Sequence, residues 1–135
     1  MSGLWKPFVT ALVGFAVLDG IWLGVVMKNF YRTALGPMAR TGPDGALTPI
    51  WAVALPVYVL LALGQVVFVL PRITGESFGT AITCGAVFGF ITYGVYDLTN
   101  WSTLRSYTGT LALVDMAWGT FACAAVAGLL RKLAG

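Results

Sequence analysis

Four runs of apolar residues, each about 20 long, divide the chain, and the polar residues gather in the stretches between them. The runs cover residues 8–27, 50–70, 78–98 and 110–130, and each holds at most one ionisable group. A helix lying against water carries a polar stripe at the helical period, and none of these runs does. The short alternating segments of a transmembrane β-barrel are missing too. About 20 apolar residues are what an α-helix needs to cross the hydrocarbon layer. The pattern predicts an all-α protein: residues 1–135 form one domain, a four-helix transmembrane bundle with antiparallel neighbours and both termini on the same side. The links at 71–77 and 99–109 are short, so helices 2 and 3, and then 3 and 4, are expected to be adjacent.

Local signals refine the elements. Lys6-Pro7 suits a first helical turn. The first helix is expected to run on through Tyr31 and Arg32 to a stop at Gly36-Pro37. Pro43-Asp44-Gly45 reads as a turn, and Pro56 is expected to kink the second helix. The first run is too long for the core of a secretory signal and is interrupted by Asp19, so helix 1 is read as retained. Small residues recur every four positions: Gly20 and Gly24, then Ala81, Gly85 and Gly89, then Thr120, Ala124 and Gly128. Such ladders let membrane helices approach closely.

Composition supports the membrane reading. The chain is 59% hydrophobic and 10% charged, with a mean hydropathy of +0.87. A soluble domain carries roughly a quarter charged residues. In water this chain would expose large apolar patches. The pI near 9.1 reflects basic residues at helix ends rather than a basic patch, so no nucleic-acid partner is expected. Cys84 and Cys123 fall inside runs without metal or redox spacing and read as packing residues. The absence of histidine excludes His-ligated haem or zinc and any Ser-His or Cys-His pair. There is no phosphate-cradling glycine loop, and three acids flanked by arginines suggest internal pairing, so no cofactor and no metal are expected.

Basic residues do not fix the orientation. Lys6, Arg72, Arg131 and Lys132 fall on the face with the termini; Lys28, Arg32, Arg40 and Arg105 fall on the other. If Arg32 and Arg105 belong to a buried site, the first face prevails and both termini are cytoplasmic.

The acids carry the chemistry. An Asp at the centre of a membrane helix costs about 3 kcal/mol on insertion scales. At about 1.5 Å of rise per residue, Asp19 falls near the middle of its run, Asp115 early in the fourth and Asp97 at the end of the third. The three carboxylates therefore descend from the face opposite the termini to the bilayer centre. Asp19 and Trp22 share a helix face, as do Asp115 and Trp118. Tyr93 sits one turn before Asp97, Asn100 and Trp101 one turn after it, and Tyr31, Arg32 and Arg105 come from the adjoining loops. These eleven residues are the candidate ligand-binding set, with no catalytic role assigned. Together they predict a pocket between helices 1, 3 and 4, open opposite the termini and floored by Asp19. Carboxylates so placed must pair with Arg, accept hydrogen bonds or stay protonated.

The run Tyr93-Gly-Val-Tyr96-Asp97-Leu-Thr-Asn100-Trp101, followed by Asp115-Met-Ala-Trp118-Gly119, resembles the bacterial predicted membrane proteins grouped as domain of unknown function 2177. Asp19-x-x-Trp22, Tyr31-Arg32 and Leu35-Gly36 resemble the same pattern, and the likeness covers essentially the whole chain. The resemblance implies a small four-helix, multi-pass protein of the bacterial inner membrane without an assigned activity. Members encoded near enzymes that modify fatty-acyl chains add a link to lipid metabolism.

Three functions are compatible with these residues. The first is a site that binds or acts on a membrane-embedded small molecule, with Asp19 and Asp115 as acid/base groups or polar anchors and the tryptophans against the apolar body. The second is a small proton-coupled transporter; the acid in helix 1 resembles small multidrug exporters in outline, whereas the segment 97–101 does not. The third is a structural or accessory subunit whose polar groups join helices. Membrane lipids are the expected surroundings, and self-association is left open.

Overall fold

The computed structural model describes residues 2–133. After a short 3₁₀ turn, α1 runs Trp5–Ile21 and widens into a π-helical segment, Trp22–Val26. Met27 leaves helical geometry (φ −116°, ψ 20°), and α2 follows at Lys28–Leu35. Gly36, at φ 53°, stops it where the Gly-Pro signal stands. The second membrane-length segment is α3 (Trp51–Gly64), a second π-helical segment (Gln65–Val69) and α4 (Leu70–Ile73). The last two helices are long and unbroken: α5, Phe78–Thr103, and α6, Gly109–Leu133. Four stretches, Trp5–Val26, Trp51–Ile73, Phe78–Thr103 and Gly109–Leu133, are long and apolar enough to cross a membrane. Among the described residues there is no β-strand, only an isolated bridge between Thr41 and Leu47.

α3 carries Pro56 within its length, and a π-helical segment opens after it at Gln65. Gln65 has a tertiary partner that draws it inward. Its Nε2 donates to the Cys123 carbonyl of α6 at 3.0 Å, and the side chain is fully buried. α5 begins sharply because the Ser77 hydroxyl accepts from the Thr80 amide at 3.1 Å, a cap worth about 1 kcal/mol. The Thr108 hydroxyl plays the same part for α6, accepting from the Leu111 amide at 3.1 Å.

The core lies along the seam of α5 and α6. Ala81, Gly85, Gly89 and Gly94 are buried on α5. A methyl group on Gly85 would stand 2.5 Å from the Cys123 carbonyl, so the two backbones touch there. The Gly128 position on α6 likewise faces Phe78 and Ile82. The ladder expected on α1 is different: nothing lies within 4 Å of a side chain added at Gly20 or Gly24. Their neighbours Ile21 and Val25 are exposed as well, so among the described residues no other helix packs on this face. α1 buries Ala11 and Phe15 and leaves a shallow apolar groove of about 670 Å³ against α6, lined by Val9, Val13, Val17, Leu18, Val126 and Leu129.

Candidate functional site

Where the groove ends, at Leu18, the polar residues begin. Asp19 accepts a hydrogen bond from the Trp118 indole at 2.7 Å, joining α1 to α6. The Trp118 ring stacks on Trp22, with centroids 4.4 Å apart and planes 1° from parallel. Acid and indole one turn apart on α1 thus meet acid and indole one turn apart on α6. The Trp22 indole donates to the Tyr31 hydroxyl at 3.1 Å, and that hydroxyl donates to Asp115 at 2.9 Å. A straight helix would separate residues 22 and 31 by about 13.5 Å along its axis. The π-helical segment and the bend at Met27 break that line and let the two side chains meet.

Asp97 completes the cluster. It is fully buried on α5, and Tyr107 donates to its Oδ1 at 2.5 Å. Its Oδ2 is buried without a donor, and the Asp115 carboxyl lies beside it. The cluster therefore runs from Asp19 through the stacked indoles and Tyr31 to Asp115 and Asp97. Burial pushes the Tyr107 hydroxyl above the usual tyrosine range, helped by its bond to Asp97. Burial does the same to Tyr31, followed by the charge of Asp115. Both phenols consequently remain donors throughout the neutral range.

The arginines stand apart from this arrangement. Of the outcomes left open by the sequence, pairing with Arg or hydrogen bonding among them, each acid takes a neutral donor: Trp118 for Asp19, Tyr31 for Asp115, Tyr107 for Asp97. Arg32 instead lays its guanidinium against Gly45, whose φ of +79° forms the tip of the turn after α2. Arg105 is exposed. Tyr93 covers Gly119 with its ring and lies within the field of Asp19. Asn100 reaches Tyr96 rather than an acid, and Trp101 packs over Gly109 at the start of α6 with 47% of its surface exposed. Asp19, Trp22, Tyr31, Tyr93, Asp97, Asp115 and Trp118 are thus brought together, while Arg32, Arg105, Asn100 and Trp101 are not.

Two tyrosines absent from the sequence reading belong here. Tyr58 of α3 stands beside Asp19, and Tyr107 holds Asp97. Tyr58 had a signal: it and Gln65 are polar interruptions of an apolar run and, seven residues apart, share a helix face. Tyr107 had none, since a tyrosine beside a membrane helix is ordinarily an interface anchor.

Among the described residues no group of three or more metal-binding side chains is gathered. The carboxyl cluster can accept protons or hydrogen bonds, or take up a cationic head group. Neither curated proteins nor solved structures give a significant match to this sequence. A family model described as "Predicted membrane protein (DUF2177)" matches residues 4–130, and the chain belongs to that family.

Proposed function

We propose that the cluster is the polar end of a site for a membrane-embedded amphiphile with a hydroxyl or cationic head group. The observation that carries this reading is that Asp19, Asp97 and Asp115, from three different helices, join one network whose recorded donors are all neutral. Carboxyls gathered in a low-dielectric setting without cations attract a proton donor or a positive charge. The apolar groove reaching Leu18 offers a bed for the ligand's hydrocarbon body. A role in lipid metabolism is the natural extension of such a site.

The accompanying topology is an antiparallel bundle in the bacterial inner membrane, with both termini cytoplasmic and the site opening toward the opposite face. Its support is the register of close approaches, Gly85 with Cys123 and Gly94 with Met116, in which rising numbers on one helix meet falling numbers on the other. With Arg32 and Arg105 both outside the cluster, the basic residues divide four to four between the two faces, so charge bias does not by itself favour the cytoplasmic termini.

A second reading, polar groups that only hold helices together, is favoured by one observation. The Trp22–Trp118 stack fills the indole face that a ligand would use. Purification in nanodiscs, followed by mass spectrometry of the extracted lipids and small molecules, separates the two. A bound species that falls at least tenfold in Asp115→Asn, with the fold intact, supports the site. Equal recovery from both proteins, or no bound species together with unchanged lipids in a deletion strain, leaves the second reading.

A further inference from the structure

We propose that Asp97 and Asp115 hold a single proton between them, as an acid–carboxylate dyad at the loop end of the cluster. Asp97 has no exposed surface. One of its oxygens is satisfied by Tyr107; the other, Oδ2, is buried and meets no donor. Asp115 is the carboxyl set beside it, with its own Oδ1 already accepting from Tyr31. Buried carboxyl oxygens are rarely left unpaired, and a missing donor calls for a partner. A proton on either acid supplies it: repulsion between two like charges becomes an O–H···O⁻ hydrogen bond, one of the strongest available to protein side chains.

The surroundings favour a proton over a fixed counter-charge. Tyr31, Tyr96, Tyr107 and, at longer range, Tyr93 and Asp19 are the titratable groups facing the pair. None carries positive charge. Arg32 is engaged at Gly45, and Arg105 is exposed. Tyr107 lies between α5 and α6, outside the membrane-length helices, and bonds directly to the dyad. Such a dyad takes up or releases one proton without moving a helix, the unit required for acid–base work beside a bound head group. The dyad is independent of the amphiphile reading, because it forms in the empty protein.

The four aspartates make a direct test practical. Wild-type protein carrying ¹³C at the aspartate carboxyls is titrated in nanodiscs of neutral lipid, with signals assigned from Asp44→Asn, Asp19→Asn and the Tyr107→Phe displacement of Asp97. The expected result is two signals, Asp97 and Asp115, that both lie between the acid and carboxylate positions in the neutral range. On alkaline titration they shift together at one midpoint. Two carboxylate-position signals at neutral pH, or two unrelated midpoints, would overturn the dyad. So would micromolar calcium or magnesium shifting both signals, since the missing partner would then be a metal cation. The measurement is made on wild-type protein, so a variant that fails to fold does not remove it. Loss of the dyad with a retained amphiphile, or the reverse, distinguishes this inference from the proposed function.

Discussion

The α5–α6 seam and the carboxyl cluster share α5 and α6 but are held together by opposite means. At Gly85 and Gly89 the helices meet because side chains are absent, and backbone rests on backbone. In the cluster, polar side chains tie α6 to α1 and α2, and the 104–108 link to α5. The seam is a shape that tolerates no added atom, whereas the cluster is a set of partners that tolerates no missing one. Substitutions that enlarge should therefore damage the seam, and substitutions that delete a donor should damage the cluster.

The largest effect is expected at Gly89. A side chain there meets the Gly119 backbone, which cannot rotate away as a side-chain tip can. Overpacking costs about 1–3 kcal/mol where neighbours can adjust and more where they cannot, so Gly89→Leu should exceed about 3 kcal/mol. Thermal unfolding in detergent should show a strongly lowered midpoint or no folded protein. An unchanged midpoint would mean that the seam is not the close contact described here.

Next comes Trp118→Phe, which keeps an aromatic ring beside Trp22 and deletes the donor to Asp19. Depriving a half-buried carboxyl of its indole donor, with Tyr58 still beside it, should cost about 1 kcal/mol. Asp19→Asn can restore part of that loss, because an amide is less costly to leave unpaired than a charge. The double variant should therefore be more stable than Trp118→Phe alone. Additive losses would show that the bond contributes nothing to the join between α1 and α6.

Tyr107→Phe should be comparable or slightly smaller near neutral pH, and it adds a signature in alkali. The folded protein keeps the Tyr107 proton above the ordinary value of 10.0, because burial and then the Asp97 bond oppose ionisation. Its contribution is therefore complete below pH 10.0 and is lost as pH rises from there through the folded value. Tyr31 acts in the same direction. Stability should decline above pH 10.0 in the wild type and less steeply in Tyr107→Phe, which chemical denaturation at stepped pH would reveal.

The two regions also differ in how far the sequence discloses them. The small residues at 81, 85 and 89 point to a close helix contact, and the structure has one. The acids and the indoles at 22 and 118 stand out because apolar runs rarely hold them, and they do come together. Their partners were less legible. Arginines are the expected companions of buried acids by charge alone, but which donor arrives depends on where the chain bends. The bend at Met27 delivers Tyr31 to the cluster, while Arg32, the next residue, turns to Gly45. Neighbours in sequence project about 100° apart on a helix, so one reaches the acids and the other cannot. The π-helical segments at 22–26 and 65–69 have no residue signature of their own, being adjustments to tertiary contacts.

The smallest effect is expected at Gly20 and Gly24, where the comparison is sharpest. These residues carry the same four-residue spacing as Gly85 and Gly89, yet nothing stands within 4 Å of a side chain added at either. Spacing alone does not make a seam; a facing helix must be there. Gly20→Leu and Gly24→Leu, made singly, should each change stability by no more than about 0.5 kcal/mol, in the range of substitutions away from packed contacts. Replacing glycine also removes its helix-weakening freedom, which tilts the expectation toward a slight gain. Parallel melting of Gly24→Leu and Gly89→Leu in the same detergent gives the contrast directly. A loss at Gly24 approaching that at Gly89 would mean that this face of α1 is covered in the membrane, by a second copy of the chain or by another protein.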